Sequence, residues 1–186
     1  VWNEFSTATA ARCSATAYFF AEMLSWALNV PVGVIDSSWG GSRIECWTPR
    51  EALEAYPDID LSEKAIADQP DYMRPMAMYN AMVYPLTSYT VRGFLWYQGE
   101  SNIGHHTEYA ARMADMVARW RAQWGLGELP FYFVEIAPFG YGNGLAPYLR
   151  EAQCRAQSLI PNSGMVSTND LVLPCEEGNI HPRDKR

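Results

Sequence analysis

The sequence predicts an α/β fold in which a parallel sheet is covered on both faces by helices. Three observations carry that prediction. Short apolar runs rich in β-branched and aromatic residues recur at 31–36, 91–97, 130–136 and 164–168. Stretches of helical composition or periodicity lie between them or ahead of them, at 7–28, 107–124 and 148–159. Each apolar run also empties into a segment of glycine and polar residues, as strands do where they leave a sheet. Alternating strands and helices need crossover connections, and crossovers make parallel sheets.

Residues 7–28 read as a helix because Ala and Leu are abundant, Gly and Pro are absent, and Ala17, Phe20, Leu24 and Leu28 recur at helical spacing. Asn29 is the expected stop. Pro31-Val32-Gly33-Val34-Ile35-Asp36 reads as a buried parallel strand running into the glycine-rich loop Ser37–Ser42. Residues 50–85 carry four prolines and scattered acids, which predicts loops and short helices passing over the surface. Val91 to Tyr97 is the next strand and ends in Gln98-Gly99-Glu100-Ser101-Asn102. Residues 107–124 form the clearest amphipathic helix, with Tyr109, Met113, Met116, Val117, Trp120 and Trp124 on one side, Thr107 as N-cap and Gly125 as stop. Pro130–Ile136 is a third strand, 138–147 an irregular loop, 148–159 a helix and Gly164–Thr168 the fourth strand.

Composition bounds the function. With 48% hydrophobic and 19% charged residues over 186 positions, the chain suits a single domain with a packed core. A formal net charge of -7 disfavours nucleic acid as a partner, since phosphate binding rests on Lys and Arg. No apolar run has the length of a transmembrane helix. Cys13, Cys46, Cys154 and Cys175 contain no C-x-x-C pair, so no zinc site or other metal is expected. They are either free thiols or, in a secreted protein, one or two disulfides. No cofactor motif is present.

In such sheets ligands bind beyond the carboxyl ends of the strands. The post-strand segments here are Ser37–Ser42, Gln98–Asn102, Pro138–Gly144 and Asn169–His181. Gly40-Gly41 either lends backbone N–H groups to an oxyanion or makes a tight turn. The amide and carboxyl groups of Gln98–Asn102 either donate to a developing negative charge or cap a helix start. Ser101 is no nucleophile: Gly99-Glu100-Ser101 begins like a nucleophile elbow, but Ile103 stands where the second glycine belongs. His181 has the residue type of a base that activates a serine hydroxyl, or it is structural. His105 and His106 are adjacent in a polar loop and read as bland.

The runs Gly33-Val-Ile-Asp-Ser-Ser-Trp-Gly-Gly-Ser-Arg-Ile-Glu-Cys-Trp47, Trp96-Tyr-Gln-Gly-Glu-Ser-Asn102 and Ile180-His-Pro-Arg-Asp-Lys185 together resemble the sialate O-acetylesterase family of SGNH hydrolases. Arg150-Glu151-Ala152-Gln153 fits the same family, and the likeness runs over nearly the whole chain. The resemblance implies a three-layer α/β/α sandwich of the flavodoxin-like kind and serine-dependent removal of acetyl groups from sialic acid or polysaccharide. By motif position His181 would be the general base, Gly41 an oxyanion-hole backbone donor, and Gln98 or Asn102 a side-chain donor. Trp39, Arg43 and Glu100 are the candidate substrate contacts. Arg43, Glu45 and Glu100 would otherwise form a buried ion-pair network joining the two loops.

Two departures from the family pattern accompany the likeness. Its Gly-Gln-Ser-Asn-type nucleophile motif is absent, so residues 1–186 are expected to be one esterase domain lacking its first strand and its serine, incomplete at the N-terminus and at the C-terminus as well. Such a piece should be inert alone and poorly stable, because the gap leaves a sheet edge unpaired. Gly178 and Asn179 also stand where many relatives carry an Asp, leaving Glu176, Glu177 or Asp170 as acid partners, or a Ser–His dyad. A non-catalytic carbohydrate-binding or scaffold domain is the competing expectation. The family implies a secreted, periplasmic or lysosomal address, and no signal peptide in these residues fixes it.

Overall fold

The computed structural model describes residues 2–6, 8–142, 144–173, 175 and 180–183. Five α-helices and three strands follow one another among them: α1 (Ala15–Leu28), α2 (Arg50–Leu53), α3 (Glu63–Ala67), β1 (Phe94–Tyr97), α4 (His106–Trp124), β2 (Phe131–Val134), α5 (Ala146–Leu159) and β3 (Ser163–Val166). The strands form one parallel sheet in the order β1-β2-β3, with Phe94 opposite Phe131 and Phe131 opposite Ser163. A helix crosses between each pair, as parallel pairing requires.

Alternation along the strands assigns the two faces. Phe131 and Phe133 are buried towards α4 and α5, and Trp96 packs edge-on against Trp120 of α4 and against Trp47. Tyr132 points the other way and meets Phe20 of α1 at a ring separation of 6.2 Å. Helices therefore lie on both faces, giving the three layers. The α4–α5 side is dense, with Tyr109, Met113, Met116, Val117 and Trp120 all buried. On the α1 side a cavity of about 530 Å³ remains between Phe20 and Met23 of the helix and Tyr97, Val134 and Val166 of the sheet.

Several boundaries differ from expectation, for local reasons. The first helix begins at Ala15 and not at residue 7, because Ser14 caps it by accepting the Ala17 N–H at 3.4 Å, after a separate 3-10 turn at Ala10–Arg12. Its stop at Asn29, in the left-handed region at φ 52°, is as expected. Residues 31–36 do not form a strand. Among the described residues no backbone–backbone hydrogen bond joins them to another segment, and Ile35 is 40% exposed. Instead Asp36 ties the segment back to α1 by accepting the Ser14 N–H at 2.9 Å. Thr107 is not the cap of α4, since a 3-10 turn at Glu100–His105 feeds the helix directly. Gly125, at φ 63°, ends it as expected. The 50–85 excursion consists of short helices and turns, but it is not merely superficial. Leu53, Met76, Met78, Tyr79 and Val83 are buried.

Candidate active site

Two sequence-distant loops are joined at the C-terminal end of β1. Gly41 adopts φ +78°, a conformation that side chains rarely reach, and its carbonyl accepts from the Ser101 hydroxyl at 2.9 Å. One residue on, the Ser42 carbonyl accepts from Gln98 Nε2 at 3.1 Å. The Ile44 N–H donates to Asn102 Oδ1 at 2.9 Å, and Asn102 Nδ2 donates to the Glu45 carboxylate at 3.0 and 3.3 Å. Residues 41, 42, 44 and 45 are thus each hydrogen-bonded to Gln98, Ser101 or Asn102. The pairing is possible because Gly99 lets the chain turn against Ile136, where a Cβ would come within 2.6 Å of Ile136 Cγ2. The following 3-10 turn then aims Asn102 inward, and that side chain is fully buried.

Gln98 sits at the centre of this arrangement. Its Nε2 also donates to Asn102 Oδ1 at 2.7 Å, and its Oε1 lies 3.0 Å from the Tyr109 hydroxyl. Gln153 Nε2 donates to the Gln98 carbonyl at 3.1 Å, while Gln153 Oε1 accepts from the Ile136 N–H at 3.0 Å. Burial holds the Tyr109 phenol far above its ordinary value, so the hydroxyl stays protonated and acts as the donor. Ser101, rejected as a nucleophile from sequence, has its hydroxyl engaged with Gly41.

The expected Arg43–Glu45–Glu100 network does not form. Glu45 is paired instead with Arg112 of α4, whose Nη1 lies 2.5 Å from Glu45 Oε1 and whose Nη2 meets Asp58. Arg112 is 1% exposed and Glu45 is 6% exposed, so this is a buried charge pair, and the Arg112 guanidinium also lies over the Tyr56 ring at 5.1 Å. Arg43 makes no salt bridge among the described residues, and its Nε has no hydrogen-bond partner there. That leaves a cation in the middle of the Gly41–Glu45 loop. Trp39 presents its ring to solvent at 56% exposure, while its carbonyl accepts from the Ser42 hydroxyl. Glu100 is half-buried at the start of the 3-10 turn. With burial, its charge pushes the neighbouring Tyr97 phenol up to about 12.

His181 is exposed, and the buried Pro182 after it lines the apolar cavity together with Tyr97, the residue before Gln98. The His181 segment therefore reaches the same end of the sheet from which the Gln98 loop departs. The Gly178 and Asn179 positions, like Glu176 and Glu177, lie outside the described residues. A second polar cluster stands at this end. Glu135, just past β2, accepts from Arg150 Nη2 at 3.1 Å and from the Ser167 hydroxyl at 2.8 Å, and Arg150 reaches the Asn169 side chain. His106 stacks on Tyr148 and its Nδ1 lies 3.0 Å from the Ile103 carbonyl oxygen, which is the bland role expected of it. The four cysteines are free, and burial pushes the Cys46 thiol up to about 11.

Sequence reasoning missed Arg112, Tyr109 as a donor, Gln153 and the Glu135–Arg150 pair. Arg112 did leave a signal: it interrupts the apolar stripe Tyr109, Met113, Met116 at helical spacing, which marks a charge facing the core.

Compared with known proteins, residues 3–185 match the family described as carbohydrate esterase, sialic acid-specific acetylesterase. The chain is 29% identical to the sialate O-acetylesterase of Rattus norvegicus, over 93% of its own length and 40% of the relative's. It is 30% identical to the Homo sapiens sialate O-acetylesterase, over 93% of the chain and 36% of the relative. It thus spans about two fifths of the length of these relatives. Among solved structures, a carbohydrate acetylesterase from Xanthomonas citri superposes with a TM-score of 0.81 at 33% identity, over 96% of this chain and 39% of that one. A protein from Arabidopsis thaliana shares the fold at 22% identity and a TM-score of 0.60, over 87% of this chain and 58% of its own.

Proposed function

This chain belongs to the sialic acid-specific acetylesterase family of carbohydrate esterases, and on that premise we propose that it is the greater part of a domain that hydrolyses acetyl esters on sialic acid or polysaccharide through a serine nucleophile. The serine comes from residues outside 1–186. His181 takes its proton, the serine oxygen attacks the acetyl carbonyl, and the C–O bond to the sugar breaks as His181 returns the proton to the leaving hydroxyl. Water activated by the same imidazole then releases acetate.

The negative charge that forms on the carbonyl oxygen is met by the Gly41 N–H and the Gln98 carboxamide. Of the two Gln98 donations, the one to the Ser42 carbonyl is the longer, 3.1 Å against 2.7 Å to Asn102, and it is the one that an oxyanion displaces. Asn102, also a donor by motif position, has its amide protons directed at Glu45, and its part is to hold Gln98. Trp39 offers a ring to the apolar face of a sugar, Arg43 a cation to a carboxylate or hydroxyls, and Glu100 an acceptor to a hydroxyl.

The observation that carries this reading is the hydrogen-bonded junction of the Gly41–Glu45 loop with Gln98, Ser101 and Asn102 beyond β1. The test is His181→Ala in the protein of natural length, assayed on an acetylated model ester. Loss of base catalysis is expected to lower kcat by about a hundredfold or more. Near-wild-type turnover by the alanine variant would overturn the assignment.

A further inference from the structure

We propose that Arg112, Glu45, Asn102 and Tyr109 form a polarity relay that fixes which way the Gln98 carboxamide faces, making Glu45, Asn102 and Tyr109 positioning residues for the ester hydrolysis. The inference rests on the esterase reading and on Gln98 as an oxyanion donor.

A carboxamide has one donor end and one acceptor end of nearly the same shape, so packing alone does not choose between its two orientations. Charge does. Arg112 can only donate, and its contact at 2.5 Å keeps Glu45 as a group that only accepts. Glu45 therefore selects the Nδ2 end of Asn102, at 3.0 and 3.3 Å. Asn102 Oδ1 is left facing the other way, where it accepts from the Ile44 N–H at 2.9 Å and from Gln98 Nε2 at 2.7 Å. The Gln98 donor end is thereby turned towards the Gly41–Ser42 loop, and its Oε1 lies 3.0 Å from the Tyr109 hydroxyl, which stands equally 3.0 Å from the Gln98 backbone carbonyl. The relay begins on α4, crosses the 3-10 turn Ile44–Trp47 that carries Glu45 and ends at the proposed oxyanion donor. Glu45, Asn102, Tyr109 and Arg112 are all buried, so water cannot substitute for a missing link.

A relay of this kind admits a rescue. Asn102→Asp sets a second carboxylate against Glu45 and breaks the chain of donors and acceptors. Adding Glu45→Gln restores it with the charge moved one position. The carboxamide introduced at position 45 then donates to the carboxylate introduced at position 102, which still accepts from Ile44 and from Gln98. In the protein of natural length, kcat per acylatable serine, counted from the burst amplitude on an activated acetyl ester, is expected to fall on the order of tenfold to a hundredfold in Asn102→Asp with KM within about twofold, a part of the full loss of an oxyanion donor. The Asn102→Asp/Glu45→Gln pair should recover most of that loss. Tyr109→Phe, which removes one hydroxyl and keeps the ring, should lower kcat several-fold and keeps the test decisive if a charge variant fails to fold. Gln98→Ala is the reference. If it leaves kcat intact, Gln98 is not a donor and the underlying reading fails. If it lowers kcat while the paired substitution shows no recovery, or Tyr109→Phe matches wild type, the relay alone is overturned.

Discussion

Arg112→Met probes the buried charge pair most directly. The substitution keeps much of the apolar volume of the side chain at a position 1% exposed, and it removes the partner that lies 2.5 Å from Glu45. Glu45 would then be a carboxylate in a protein interior with only the Asn102 amide against it. Breaking a buried pair from one side costs about 3–5 kcal/mol. The Asp58 contact adds little, because that carboxylate is 51% exposed and such pairs contribute roughly 0–1 kcal/mol. At about 2–4 °C per kcal/mol for a domain of this size, the melting temperature should fall by roughly 6–20 °C.

Arg112→Met/Glu45→Met removes both charges and leaves only the Asn102 amide without its acceptor, a loss of about 1–3 kcal/mol. The double variant should therefore be more stable than Arg112→Met alone. Urea titrations of the three proteins measure both differences. A loss below about 1 kcal/mol in Arg112→Met, or a double variant less stable than the single, would refute the assignment of Arg112 as the counter-charge that makes Glu45 tolerable in the interior.

The same variant has a signature in acid. The hydrogen bond from Arg112 holds the Asp58 carboxyl below its ordinary value, outweighing a smaller opposing effect of burial. Asp58 binds its proton less tightly folded than unfolded, so its contribution to stability is present above the unfolded carboxylate pKa of about 3.9. That contribution is lost as pH falls through the lower folded value. Arg112→Met should flatten this acid-side slope, read as melting temperature against pH between neutrality and the acid limb.

Two further outcomes test the packing around the loops. Gly99→Ala places a methyl 2.6 Å from Ile136 Cγ2 and 3.2 Å from Leu149 Cδ2, so it should destabilise by about 1–3 kcal/mol, whereas Gly104→Ala, with nothing within 4 Å of its new Cβ, should stay within about 0.5 kcal/mol. Thiol labelling near pH 8, mapped by peptide mass spectrometry, should modify the exposed Cys154 and Cys175 quickly and spare Cys46 until the chain unfolds, because burial keeps that thiol protonated with a pKa of about 11. Fast labelling of native Cys46 would contradict its burial.

Much of the fold is legible in the sequence because its signals are short-range. Short apolar runs and period-3.6 patterning place β1 to β3 and α4, and the small or amide residues Gly125 and Asn29 mark helix ends because they tolerate the left-handed region at φ 63° and 52°. Local chemistry likewise flags the loops that follow β1 and the glycine-rich segment near Gly41. The 31–36 run shows the limit of such reasoning. Val32, Val34 and Ile35 carry a strand's composition, yet a strand exists only where a neighbour completes its hydrogen bonds, and composition does not supply the neighbour.

The candidate site divides the same way. Sequence alone places Gln98 and Asn102 directly after a strand, as β1 shows, whereas Gly41 is expected after a strand at 31–36 that does not form, so its place beside Gln98 is decided by tertiary contacts. Only the tertiary structure decides that Glu45 pairs with Arg112, 67 residues away, and not with Arg43 two residues away. A charge takes the partner that packing brings to it. Here the apolar stripe of α4 buries Arg112 beside Glu45, and a buried carboxylate needs that cation far more than one half in water would.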